Sequence, residues 1–183
     1  MLICNLCQFD PNLNLSRQAG AEFFSAGASL YSTLAALEGA DIDRAVSQGK
    51  ETAAALNAAS SSFLRLADLV RNQYRWIADE TRRVDFADAA RQVHLPPDSP
   101  IVRELTSMLL AGDIVEVLVR FAQHIRECSA QVKGVAERIA GGDPVWDHEY
   151  RVAHELLRDW RELTIRGQFV SSVCLAATRQ AVR

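Results

Sequence analysis

Small and apolar residues recur at intervals of seven between Asp41 and Val84. They are Ile42, Gly49, Leu56, Phe63, Val70, Ile77 and Val84, and the interleaved positions Ala45, Thr52, Ala59 and Leu66 are also small or apolar. Seven-residue spacing keeps side chains on one stripe of an α-helix. The pattern therefore predicts a single helix over residues 41–84, about 60 Å long at ~1.5 Å per residue. Such a helix needs partner helices to be stable.

A second stripe precedes this helix and is separated from it by a short turn. Its members follow at steps of four and three, and they are Phe23, Gly27, Leu30, Leu34 and Leu37. This spacing predicts a helix over residues 14–38. We expect the helix to end at Gly39, which can adopt the left-handed conformation that often follows a helix, and we expect Asp41 to cap the next helix. A turn this short makes the two helices antiparallel neighbours.

The second half of the chain predicts two more long helices. One spans residues 100–140 and is expected to kink or break near Gly112, because the phase of the apolar positions changes there and Asp113 can cap a restarted helix. The other spans residues 144–181. A short amphipathic stretch predicts an extra helix near residues 86–93.

These helices together predict an all-α protein, an antiparallel four-helix bundle. Asp143 and Pro144 are expected as the cap and the first residue of the last helix. Residues 1–13 lack periodicity and are interpreted as a flexible N-terminal arm, which leaves residues 14–183 as a single helical-bundle domain. Since the first helix is shorter than its partners, we expect residues 86–93 or a second copy of the protein to cover the remainder.

The charge of the chain gives no case for nucleic acid as a partner. The net charge is −3, whereas nucleic-acid binding usually requires a strongly basic face. Four arginines do cluster near the end of the long helix, namely Arg71, Arg75, Arg82 and Arg83. Acidic residues are interspersed among them, which favours a solvated helix face.

Nothing in the hydropathy of the chain predicts a membrane partner. The first ten residues lack a cationic start and contain only a short apolar run, so they do not predict a secretory signal. The longest charge-free run, between Glu22 and Glu38, is too short and too polar to span a bilayer. We expect a soluble, cytoplasmic protein, provided that the chain is not a piece of a larger protein.

The four cysteines leave two interpretations open. Cys4 and Cys7 form a C-x-x-C pair, which can bind zinc with two further ligands or oxidise. Cys128 and Cys174 occupy apolar stripes of separate helices, where a free cysteine behaves as a small hydrophobic residue. They are poorly placed to complete a metal site, so an incidental or structural role for the C-x-x-C pair is favoured.

The remaining residues do not predict catalysis, a cofactor or a metal. His148 and His154 lie six residues apart, about 120° around a helix, which is a poor geometry for a shared ion. Arg120 and His124 lie one helical turn apart and are interpreted as a solvent-facing pair. No phosphate-binding glycine loop and no nucleophile with a plausible base is present, so we name no catalytic, cofactor-binding or metal-binding residue.

Aromatic residues beside arginine are the one positive indication of function. Tyr74, Arg75 and Trp76 lie near the end of the long helix, and Trp146 and Tyr150 lie one turn apart at the start of the last helix. Trp, Tyr and Arg dominate the energetics of protein interfaces. The alternative is that these side chains close off the ends of the core.

The leading hypothesis is therefore a non-catalytic helical-bundle module for protein interaction or regulation that self-associates, with a homodimer as the expected assembly. A second hypothesis is a sensor or carrier that holds a small-molecule ligand between its helices. It is motivated by Gly27, Gly49 and Gly167, whose missing side chains can leave space in the core. An enzyme with an unrecognised site is the third.

Overall fold

The computed structural model describes residues 14–142 and 146–181 of the chain. All regular elements within these ranges are helices, which confirms the prediction of an all-α protein. In chain order they are α1 (Asn14–Glu38), α2 (Ile42–Gln73), α3 (Arg75–Thr81), α4 (Phe86–Gln92), α5 (Pro100–Ala111), α6 (Ile114–Ala140) and α7 (Trp146–Ala181). None of these helices combines the length and apolar character that crossing a lipid bilayer requires.

Several predictions concern residues outside the described ranges. They are the flexible arm over residues 1–13, the Cys4 and Cys7 pair, and the roles of Asp143 and Pro144 at the start of the last helix.

The single helix predicted over residues 41–84 is wrong, because the chain breaks at Tyr74. This residue has the non-helical angles φ −123° and ψ 39°, and it separates α2 from α3. Ile77 and Val84 continue the seven-residue spacing and are buried all the same, since α3 packs against α6 and α7. The spacing identifies buried positions, but it does not detect one non-helical residue between two helical segments.

The turn between α1 and α2 is a Schellman motif in which Ala40, not Gly39, is left-handed. The N–H of Asp41 donates to the Ala36 carbonyl at 3.1 Å, and Ala40 has φ 51°. The prediction for Gly39 is thus wrong by one position, because this pairing places the left-handed residue immediately before Asp41. Asp41 also caps α2, with its Oδ1 accepting from the Arg44 N–H at 3.1 Å.

The break expected near Gly112 is present and separates α5 from α6. Gly112 has ψ −118°, and Asp113 caps α6 by accepting hydrogen bonds from the N–H groups of Val115 and Glu116 at 2.7 and 3.1 Å. These bonds satisfy donors at the start of the helix that would otherwise have no partner.

α2 lies between α1 and α6 and makes close contacts with both. The Ser60 hydroxyl donates to the Ala122 carbonyl at 2.7 Å, and the Ser129 hydroxyl donates to the Ala53 carbonyl at 2.8 Å, so side-chain oxygens tie α2 and α6 together. On the other side of α2, the Thr33 and Thr52 hydroxyls lie 3.0 Å apart.

The glycines of this region permit close approach of the helices. A Cβ at Gly49 would lie 2.8 Å from the Ala136 Cβ, and a Cβ at Gly27 would collide with the Trp160 indole. The space at both glycines is therefore filled by a neighbouring helix.

α7 has two halves with different neighbours. Its first half packs on α1 and α6, with the Trp160 ring stacked on Phe23 at a centroid distance of 4.1 Å. Its second half packs against the short helices α3, α4 and α5. There the Ser172 hydroxyl donates to the Ala89 carbonyl of α4 at 2.8 Å. The short helix at residues 86–92 thus covers a part of α7 that α1 does not reach.

The predicted apolar stripes are mostly buried. Along the seven-residue pattern Ile42 is the exception, since it is half exposed at the start of α2. Phe169 and Val173 are fully buried and were not predicted, because the second half of α7 is enclosed on more sides than one apolar stripe covers.

Candidate functional site

Trp146 and Tyr150 lie at the end of the molecule where α1 turns into α2. They line a hollow of about 320 Å³ together with Leu37, Glu38, Ala40 and Asp147. The Tyr150 hydroxyl donates to Glu38 Oε1 at 3.4 Å, and the Tyr150 ring contacts the His154 ring at a centroid distance of 4.3 Å. Trp146 is half-buried against the core, whereas Tyr150 is exposed.

The hollow continues into a shallow groove between α1 and α7, and we refer to both together as the α1/α7 groove. The groove adds about 620 Å³ and is lined by Tyr31, Leu34, Ala35, Glu38, His154, Leu157, Arg158 and Arg161. Glu38 lines both parts. The Arg161 Nε donates to the Tyr31 hydroxyl at 3.4 Å, so one arginine already lies beside an exposed aromatic ring.

An exposed apolar stripe on α1 borders this groove and was not predicted as a site. Its members are Phe24, Ala28, Tyr31 and Ala35, all exposed. The Tyr31 side chain is 47% exposed, which is high for a large aromatic residue. The charge-free run between Glu22 and Glu38 could have indicated this exposed apolar stripe, because a surface helix normally presents charged residues to water.

Tyr74, Arg75 and Trp76 lie far from Trp146 and Tyr150. Trp146 lies beside Ala40 at the start of α2, whereas Tyr74 follows its end, and the 32 residues of α2 span about 48 Å. Tyr74 is only 9% exposed, while Arg75 and Trp76 are exposed. The two predicted groups therefore cannot share one contact surface.

A separate cleft opens between α5, α6 and α7, and it has a volume of about 320 Å³. Its floor is apolar, formed by Leu105, Met108, Val117, Phe121, Leu163 and Val170. Its rim carries Glu104, Arg120, His124, Glu162 and Arg166. Arg120 and His124 were predicted to be a solvent-facing pair, and both are exposed at this rim.

Arg166 connects two walls of this cleft. Its Nη2 donates to Glu104 Oε2 on α5 and to Glu162 Oε1 on α7, both at 2.8 Å. The hydrogen bond from Arg166 lowers the pKa of the Glu104 carboxyl below its ordinary value, although burial opposes the shift. Glu104 is therefore ionised at neutral pH.

The described cysteines are poor nucleophiles. Burial raises the pKa of the Cys128 and Cys174 thiols to about 12, and the nucleophile is the thiolate rather than the thiol. Within residues 14–142 and 146–181, no group of three or more His, Cys, Asp or Glu side chains is arranged to hold a metal ion.

These features define an all-α protein with one aromatic groove and one charged, apolar-floored cleft. Comparison with the models of known protein families, with curated proteins and with solved structures finds no match to the chain. Its function is therefore inferred from these two concave surfaces.

Proposed function

We propose that the protein is a non-catalytic interaction module that self-associates as a homodimer through the α1/α7 groove and the exposed stripe of α1. The observation that carries the proposal is the continuity of exposed aromatic residues on this face: Phe24 and Tyr31 on α1, followed by Tyr150 on α7. Exposed apolar surface of this kind marks interaction sites more often than isolated exposed residues do.

The composition of the face supports a protein partner. Tyr31, Tyr150 and Trp146 supply rigid aromatic area, and Arg158 and Arg161 lie beside them. Tyrosine, tryptophan and arginine are the residues in which binding energy concentrates. Ala28 lies between Phe24 and Tyr31, Ala35 lies one turn after Tyr31, and both small side chains leave room for a partner's side chains.

The charges of the groove favour a second copy as that partner. The end near Trp146 carries the acidic residues Glu38 and Asp147, and the other end carries Arg158 and Arg161. A twofold axis across the groove reverses its direction in the second copy, so the acidic end of each copy faces the basic end of the other. A twofold interface must be self-complementary in this way.

Within each chain, we infer that α1, α2, α6 and α7 form an antiparallel four-helix bundle. Support comes from the order of the contacts: Ser60 pairs with Ala122, while the earlier residue Ala53 pairs with the later residue Ser129. A cytoplasmic location is part of the proposal, and the buried thiol of Cys128, which forms no disulfide, supports a reducing compartment.

The proposal is tested by sedimentation velocity on the wild-type protein and the variants Tyr31→Ser and Tyr150→Ser. A twofold interface contains each residue twice, so a loss of about 1 kcal/mol per side chain weakens the dimer about 30-fold. Leu110→Ser is the matched control, since Leu110 is 52% exposed on α5, outside the groove. A monomeric wild-type protein, or a dimer that neither tyrosine variant weakens, would refute the proposal.

A charge exchange tests the identity of the partner. Glu38→Arg or Arg158→Glu alone should weaken the dimer, because each places like charges opposite one another. Both changes in one chain should restore it, since the charges are then again complementary. The same restoration is expected when the two single variants are mixed, and a failure of both combinations would exclude the twofold arrangement.

The second hypothesis, a small-molecule carrier, gains no support from Gly27 and Gly49. The spaces at Gly27 and Gly49 are filled by Trp160 and Ala136. The cleft between α5, α6 and α7 provides a different basis for ligand binding.

A further inference from the structure

The cleft between α5, α6 and α7 has the shape and composition of a small-molecule site. Ligand pockets combine an apolar lining with a few polar groups that fix the orientation of the ligand. Here Leu105, Val117 and Leu163 form a buried floor, while Met108 and Phe121 are only partly buried. An apolar group resting in the cleft would remove the two partly exposed side chains from water.

The volume sets the size of the ligand. The cleft encloses about 320 Å³, which is about twice the ~150 Å³ of a cavity that holds one benzene molecule. A molecule of about 12 non-hydrogen atoms fits this space. Because the cleft is open to solvent at its rim, one end of the ligand stays in contact with water.

The carboxylates of the rim are already engaged. Glu104 and Glu162 both accept hydrogen bonds from Arg166, whose side chain is largely buried between them. This cluster is fixed by three hydrogen bonds of 2.8 to 3.0 Å and spans two helices. The cluster joins the α5 and α7 walls, and its two carboxylates outnumber its one guanidinium, so a ligand carboxylate is repelled from this side of the cleft and directed towards α6.

The opposite wall, on α6, carries hydrogen-bond donors that have no acceptor among the described residues. Arg120 donates to Glu116 through Nη2 at 2.6 Å, and among the described residues its other guanidinium nitrogens have no acceptor. His124, one turn further along α6, has no hydrogen-bond partner within the described chain. A guanidinium with free N–H groups beside an imidazole matches a carboxylate, which has only acceptors.

We propose that this cleft binds a small amphipathic carboxylate, with the carboxylate at Arg120 and His124 and the apolar tail on the floor formed by Leu105, Phe121 and Leu163. This inference goes beyond self-association, because the cleft shares no residue with the α1/α7 groove. The expected Kd is on the order of 1 mM, since ligands of this size gain limited binding energy per atom.

Decanoate is a suitable probe, because it has 12 non-hydrogen atoms and one carboxylate. The measurement is a titration of the full chain followed by backbone amide NMR shifts, with decylammonium as a probe of equal length and opposite charge. We expect saturable decanoate shifts at residues of α5, α6 and α7 that line the cleft. Decylammonium is expected to bind at least tenfold more weakly.

Two variants make the site falsifiable without unfolding the protein. Arg120→Gln removes an exposed guanidinium and should weaken decanoate binding about tenfold, whereas Arg126→Gln, on an exposed face of the same helix, should leave it unchanged. Met108→Trp should block the cleft and abolish saturable binding of both probes.

Three results would overturn the inference. They are tighter binding of decylammonium than of decanoate, equal decanoate binding by the Arg120→Gln and Arg126→Gln variants, and the absence of saturable shifts in the wild-type protein. Sedimentation velocity separates this outcome from the first proposal. The cleft variants Arg120→Gln and Met108→Trp should leave the dimer intact, and the groove variant Tyr31→Ser should leave decanoate binding intact.

Discussion

The ion pair between Arg138 and Glu149 provides the sharpest test of how α6 and α7 are joined. Glu149 lies in the first turn of α7 and is only 1% exposed, although glutamate is rarely buried to this extent. Arg138 donates from Nε to Oε1 at 2.7 Å and from Nη2 to Oε2 at 2.8 Å. Both carboxylate oxygens thus depend on one guanidinium, whose pKa the hydrogen bond to Glu149 raises.

Replacing Arg138 by methionine keeps the length of the side chain and removes both donors. A buried carboxylate without its partner destabilises a protein by about 3–5 kcal/mol. Because the Arg138 side chain is 48% exposed, water can partly replace it, and we place the loss at the lower end, about 3 kcal/mol. In a domain of this size that loss corresponds to a fall in Tm of about 6–12 °C.

The assay is urea unfolding followed by circular dichroism, with Lys133→Met as the matched control. Lys133 lies on the same helix and forms an exposed pair with Glu137 at 3.6 Å, so its loss should cost about 0.5 kcal/mol or less. The double variant Arg138→Met, Glu149→Met should recover much of the lost stability, because replacing both members of a buried pair by apolar groups is often nearly neutral. If Arg138→Met destabilises the protein no more than Lys133→Met does, the reasoning is wrong.

Two further predictions concern local strain and pH. Ala40→Gly should raise the free energy of unfolding by about 0.5–1 kcal/mol, because it relieves a left-handed alanine at φ 51° at a cost in chain entropy. Gly39→Ala is the control: a Cβ there meets only ordinary contacts, so this variant should not stabilise the protein in the same way. A lower Tm for Ala40→Gly would contradict the left-handed assignment of Ala40. Burial raises the pKa of the Cys128 and Cys174 thiols from 9.0 to about 12, so the folded state retains protons that the unfolded state releases. The free energy of unfolding should therefore fall as pH rises from about 9 towards 12, by up to ~1.4 kcal/mol per pH unit for each thiol. When it is measured by urea unfolding at several pH values, the free energy of unfolding of the Cys128→Ala, Cys174→Ala variant should fall less steeply with pH.

The candidate site was only partly predictable from the sequence. Trp146 and Tyr150 are predicted as interface residues because Trp, Tyr and Arg dominate the energetics of protein interfaces, and both line a concave surface. Tyr31 was missed, since its place in the groove depends on α7, which lies more than a hundred residues further along the chain. Tyr74 was selected on the same grounds as Trp76, but the break in the helix turns its ring into the interior.

The cleft could not be predicted from spacing alone. Leu105, Phe121 and Leu163 are apolar residues within the helices predicted over residues 100–140 and 144–181, and spacing alone does not tell which of them a neighbouring helix covers. Leu105 and Leu163 are buried, whereas Phe121 stays partly exposed because α5 ends at Gly112 and lies beside α6 and α7 instead of continuing along one axis. The change in apolar phase predicts the break near Gly112, but it does not predict which helices α5 then packs against, because that depends on contacts with α6 and α7.

The sequence by itself determined the helical class, the buried stripes and the caps at Asp41 and Asp113. These features depend on local physics: the 3.6-residue period of the helix, the hydrogen bonds of Asp41 and Asp113, and the burial of side chains such as Phe63 and Ile125. Only the tertiary structure decided that Tyr74 interrupts the long helix and that Glu149 is buried against Arg138. The physical reason is that these outcomes depend on which distant helix supplies the contact, and the free energy of that contact exceeds the local preference of the residue.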